Sequence, residues 1–153
     1  MNRHEMIARY RNGADAVDDA LEDIMAEELD RRPAATAWTP RQIVHHLSDS
    51  ETHSYVRLRK LVAEDETWIQ GYDQEHWARV LHYDRPIEAS LAVIHAVRAA
   101  SADLLERLTD ADFERAGSHS ERGRYSMAMW LADYVDHPYD HADQIARARK
   151  GEV

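Results

Sequence analysis

Apolar residues return at intervals of three and four along four long stretches of this chain, and that period is the signature of helices with one buried face. In the first stretch Ile7, Tyr10, Ala14, Val17, Leu21 and Ile24 form one stripe, which predicts a helix from about Asn2 to Met25. The segment "RRPAATAW" breaks the pattern. Thr39 then offers an N-cap, Pro40 occupies the first helical position and Gln42 closes a capping box, so a second helix begins there and runs to about Ala63. Its inward residues are Ile43, Leu47, Leu58 and Leu61. A third helix opens around Pro86 and carries Ile87, Leu91, Ile94, Leu105 and Leu108 on one face, and Ser126 caps a fourth with Met127, Trp130, Leu131, Tyr134 and Ile145 inward. Only 5 glycines and 4 prolines punctuate 153 residues, and no alternating strand pattern is evident, so the expected fold class is all-α. The expectation is a four-helix bundle forming one domain over residues 1–153. A long connection, Glu64 to Arg85, joins helices two and three with one short helix in it, and a loop from Asp110 to Arg124 precedes the fourth.

Charge and composition exclude several function classes. A net charge of -10 without a basic, aromatic-interleaved stripe excludes nucleic acid as a partner. No run approaches the roughly 18 apolar residues of a membrane span, and "MNRHEMIARYR" lacks the apolar core of a secretion signal, so a cytoplasmic location is expected. With no cysteine, any metal would be held by nitrogen and oxygen ligands.

The 10 histidines direct attention to metal-ligand spacing. His137 and His141 lie four apart, about 40° round a helix, among the inward residues Trp130, Tyr134 and Ile145. Such a pair can chelate one divalent cation, yet about 0.6 pairs at this spacing arise by chance from so many histidines, so the spacing alone does not decide. A third ligand would come from the second helix, which offers His45, His46 and His53. His46 lies about 60° from Ile43, at the edge of the apolar stripe, while His45 lies roughly 100° further round on what reads as the solvent side. His53 shares the face of His46 two turns on, as an outer hydrogen-bonding partner of the site or as a surface histidine.

At these residues the chain resembles the DinB-like (DinB/YfiT) family of metal-dependent enzymes. "WTPRQIVHHL", Trp38 to Leu47, is similar to the family's helix-two motif, and "HPYDHADQI", from His137, to its fourth-helix motif. The resemblance implies a three-histidine metal site of His46, His137 and His141, a four-helix bundle with an unusual order of helix directions, a homodimer, and in some members a low-molecular-weight thiol as substrate. Pro138 departs from the family pattern. Three histidines leave a tetrahedral ion one open position, where a metal-bound water becomes a nucleophile near neutral pH or a substrate thiolate binds. The function so implied is a metal-dependent hydrolase or a thiol-dependent transferase acting on a small molecule. Zinc or nickel is the leading choice of ion, with iron and manganese as further ones. The alternatives are a non-catalytic metal-binding or stress-related helical dimer, and a structural dimer whose histidines are core residues.

Three further features bear on the site. Arg98 and Glu51 both fall within apolar stripes, which predicts a buried ion pair, or an Arg98 that holds a substrate carboxylate. Pro138 deletes the hydrogen bond to the Tyr134 carbonyl at a cost of roughly 3 kcal/mol. It is expected to kink the helix, rotate His137 and leave that carbonyl to water, or else to pack against the long connection. Trp68, Trp77 and His76 in that connection could roof the site. Beyond the metal ligands, Arg98, Glu51, His53 and Tyr134 are the catalytic candidates.

Overall fold

A computed structural model describes all residues, 1–153. Four long helices dominate it: α1 (Arg3–Leu21), α3 (Pro40–Ala63), α5 (Glu88–Leu105) and α7 (Met127–Ala148). Three of them, α1, α3 and α7, begin where a side chain satisfies free backbone N–H groups, while α5 starts after Ile87 without such a cap. The Asn2 side chain accepts from Glu5 N at 3.0 Å while the Glu5 carboxylate accepts from Asn2 N at 2.7 Å. Thr39 and Gln42 close the same kind of box, and the Ser126 hydroxyl accepts from Met129 N. Each such cap contributes about 1 kcal/mol.

α1 stops before the expected Met25, because Asp23 takes a left-handed backbone (φ 53°) that no helix continues through. A short helix α2 (Ala26–Leu29) follows. The main helix contacts run α1 with α7 and α5, and α3 with α5 and α7. Successive long helices α1 and α3 therefore sit diagonally across the bundle, as do α5 and α7, unlike an up-down-up-down bundle in which chain neighbours pack side by side. Two apolar clusters fill the interior. One centres on Tyr10, Leu58, Leu105, Trp130 and Tyr134, the other on Val17, Ile43, Leu47, Ile94 and Ile145.

The connections hold strands that the sequence pattern does not reveal. The segment after α3 contains β1 (Trp68–Ile69) and α4 (Gln74–Val80); the loop before α7 contains α6 (Asp110–Phe113), β2 (Ala116–His119) and β3 (Gly123–Ser126). β1 pairs in parallel with β2, and β2 antiparallel with β3, making a three-stranded sheet. Gly117 permits the first pairing, since a Cβ there would lie 2.5 Å from the Thr67 carbonyl oxygen. The sheet ties the two long connections together at one side of α3 and α7. No helix is long and apolar enough to cross a membrane.

Candidate metal centre

The diagonal arrangement makes α3 and α7 neighbours, and His46 from the first meets His137 and His141 from the second. Ring centroids are 5.8 Å apart for His46 and His137, 4.9 Å for His46 and His141, and 4.6 Å for His137 and His141. One nitrogen from each ring lies within 4.8 Å of the others, close enough for one ion to be shared. Trp38 packs on His46 at 4.7 Å between centroids, and His46 itself is 1% exposed.

Hydrogen bonding divides the three rings. His141 Nδ1 donates to Gln144 Oε1 at 2.7 Å, which fixes its tautomer and leaves the Nε2 lone pair free. Nδ1 of His46 and of His137 is buried without a partner. Desolvation, reinforced by the neighbouring imidazole of His141, pushes His46 down to about 3, and desolvation likewise holds His137 well below its ordinary value. Burial lowers His141 too, against the opposing hydrogen bond to Gln144. All three rings are therefore neutral at pH 7, as a metal ligand must be.

His45 is not on the solvent side. It is fully buried, with Nε2 donating to the Arg85 carbonyl at 2.9 Å and Nδ1 accepting from the Ser90 hydroxyl at 2.8 Å. The end of the long connection covers this flank of α3, so the helix is buried from Ile43 through Ser48 rather than along one stripe. Both His45 nitrogens are engaged within the protein, which removes it as a ligand.

Arg98 and Glu51 form a fully buried ion pair. Arg98 Nη2 and Nε donate to Glu51 Oε1 at 2.7 and 3.0 Å, Nη1 donates to the Tyr10 carbonyl at 2.6 Å, and Nη2 also reaches the Tyr134 carbonyl at 2.7 Å. That last acceptor is the one Pro138 leaves without an N–H. The arginine, rather than water, serves it, and α7 remains helical across Pro138 instead of opening at His137. Nor does the proline pack on the long connection: a Cβ on Gly13 of α1 would lie 2.4 Å from Pro138 Cγ and 2.6 Å from Arg98 Nη1, so this close approach requires glycine. With its donors committed to protein acceptors, Arg98 has no free edge for a substrate carboxylate.

Two cavities flank the triad side of α3. The smaller, about 200 Å³, is lined by His137, Tyr134, Arg57, His119 and Arg122. The larger, about 620 Å³, shares Arg57 and Tyr72 with it and is bounded by Trp68 and Trp77. His53 stacks on Tyr72 at 4.1 Å, and its Nδ1 donates to the Asp49 carbonyl, so it belongs to the wall of the larger cavity and not to the triad. Trp68 and Trp77 shape that same cavity, while His76 stands exposed on α4. Tyr134 bridges the two features. Its ring lies 5.9 Å from His137 and its hydroxyl accepts from Arg57 Nη1 at 3.0 Å; burial raises its pKa, with Arg57 opposing. The sequence reading missed Arg57, although its eleven-residue separation from His46, about three turns, places both on one face of α3.

The chain is similar in sequence and in fold to known proteins. A family model described as "DinB superfamily" matches residues 9–145. A relative from Oceanobacillus iheyensis named "Putative metal-dependent hydrolase" is 36% identical over 123 residues, 80% of this chain and 72% of the relative. One from Bacillus mycoides with the same designation is 30% identical over 131 residues, 86% of this chain and 76% of the relative. YfiT from Bacillus subtilis, described as "a probable metal-dependent hydrolase with an unusual four-helix bundle topology", superposes with a TM-score of 0.88 at 27% identity, covering 99% of this chain and 89% of that one.

Proposed function

The chain belongs to the DinB superfamily, and from that premise we propose that it is a metal-dependent hydrolase of a small molecule, with His46, His137 and His141 holding one divalent cation. The observation that carries this is the pair of buried Nδ1 atoms, on His46 and His137, for which the protein provides no partner. Leaving a buried polar atom unsatisfied costs about 1–3 kcal/mol, so two beside a third neutral imidazole favour a ligand from outside the chain. The donor set suits zinc or nickel, since it is all imidazole and holds no carboxylate or thiolate. A divalent cation supplies Lewis acidity toward a water molecule or a substrate oxygen or sulfur.

The chain's own residues do the rest. Gln144 holds His141 in the tautomer whose Nε2 is free. Trp38 keeps water from the back of His46. Tyr134 accepts from Arg57 and keeps its own proton, which it can donate to a substrate atom in the cavity beside His137. The test is turnover by chelator-treated and zinc- or nickel-reconstituted protein on a panel of esters and amides, with and without a low-molecular-weight thiol. Hydrolysis that needs the ion and vanishes in His137→Gln is the expected result. Turnover only with the thiol reassigns the protein as a transferase, and turnover that ignores the ion contradicts the proposal.

A further inference from the structure

The cavity of about 620 Å³, which adjoins the smaller cavity that reaches His137, has a composition unlike that of the chain around it. The protein carries 29 acidic and 19 basic residues, yet the lining of this cavity contains Arg57 and Lys60 and no carboxylate. Lys60 is 3.6 Å from Glu64, but Arg57 makes no ion pair, the carboxylates of Glu121 and Asp133 lying in the lining of the smaller cavity. Its Nη1 and Nη2 donate to neutral oxygens, the Tyr134 hydroxyl and the Gln70 carbonyl, both at 3.0 Å, and its Nε has no acceptor. A guanidinium matched only by neutral groups retains its charge for an incoming carboxylate, which it binds more strongly than a neutral acceptor.

The remaining walls are flat and apolar. Trp77 packs against Tyr72 at 4.6 Å, and Trp68, 54% exposed, stands at the opening. Arg57 and Tyr72 line both this cavity and the smaller one that reaches His137. We infer that the larger cavity is a binding subsite for a small carboxylate with a flat apolar body, its acid group on Arg57 and its ring among Trp68, Trp77 and Tyr72. A carboxylate anchored there presents the adjoining part of the molecule to the cavity beside His137, and in that respect alone the inference rests on the proposed hydrolase. The occupant follows from charge complementarity and a volume suited to a small molecule.

Phenylacetate, its neutral analogue phenylacetamide, and acetate serve as probes, titrated by tryptophan fluorescence and by NMR into chelator-treated and, separately, zinc-loaded protein. Phenylacetate is expected to bind at least about tenfold tighter than either of the others in both preparations. Arg57→Gln removes the preference for phenylacetate over phenylacetamide while helical circular dichroism is unchanged. Trp68→Ala, a change at an exposed side chain, weakens both ring-bearing probes and leaves the charge preference intact. Equal affinity for phenylacetate and phenylacetamide overturns the inference, as does a preference that survives Arg57→Gln. So does protein that binds none of the probes, whatever its state of association in sedimentation. Since the preference is read without metal, failure of the metal site leaves it standing, and failure of the preference leaves the metal site untouched.

Discussion

Two buried polar clusters lie side by side in this bundle, and they have opposite hydrogen-bond balances. In the Glu51–Arg98 pair the guanidinium meets the carboxylate and two backbone carbonyls, one of them stranded by Pro138. In the histidine triad two ring nitrogens meet nothing. The ion pair is fully buried, whereas of the triad only His46 is, and both clusters draw on α3 and α7. The first is complete within the chain and holds it together, with Arg98 joining α1, α3 and α7 from its place on α5. The second is complete only with something added. Satisfaction, more than burial, distinguishes a structural polar cluster from a functional one.

The largest expected effect comes from breaking the satisfied cluster. Arg98→Met leaves Glu51 buried and unpaired and frees the carbonyls of Tyr10 and Tyr134, which predicts a loss of about 3–5 kcal/mol in urea unfolding. Adding Glu51→Met recovers much of that loss if the cluster is structural.

The unsatisfied cluster responds to a metal rather than to packing. Gln144→Leu removes the acceptor that orients His141, predicting a fall of about 10–100-fold in zinc affinity with little change in the stability of the metal-free fold. Calorimetric titration and unfolding of the same variant read the two effects separately.

Acid distinguishes the clusters next. His46 is pushed from 6.5 to about 3 in the folded protein, so below pH 6.5 the unfolded chain takes up a proton that the folded one refuses. The contribution is full above pH 6.5 and is lost as pH falls toward 3. For this one ring the metal-free protein should lose about 1.4 kcal/mol per pH unit in that window, measured as midpoint shifts in urea. Added zinc should raise stability across this window without changing that slope, because the folded ring already holds no proton there.

The smallest effect is expected at the junction. Pro138→Ala restores an N–H to the Tyr134 carbonyl that Arg98 already serves, but removes a ring packed against Gly13, so its stability should stay within about 1 kcal/mol of the parent. A large gain in urea unfolding would mean that Arg98 does not compensate for the proline.

How much of this was legible in the sequence follows the range of the interactions. The stripes and the caps at Thr39 and Ser126 are written in residues a few positions apart, and all four long helices could be read from them. The same period put His137 and His141 inward and His46 at the edge of its stripe, but the three as one set came from the resemblance to the DinB-like motifs. The sheet was not legible: β1 owes its register to a partner fifty residues away, as in Trp68 with Ser118, and the β2–β3 hairpin has strands of only four residues without an alternating pattern. Burial of His45 escaped because a helical wheel assumes one covered face, and the chain near Arg85 covers a second. The mutual need of Arg98 and Glu51 could be inferred from two charges in apolar stripes. The use of Arg98 on the Tyr134 carbonyl could not, because it depends on how closely Gly13 lets α1 approach.

The most direct test of the contrast between the two clusters is calorimetric titration of chelator-treated protein with zinc, beside His46→Gln, His137→Gln and His141→Gln. The account predicts one ion per chain in the parent and a loss of more than about 100-fold in affinity in every variant. No binding by the parent, or parental affinity in any one of the three variants, would contradict it.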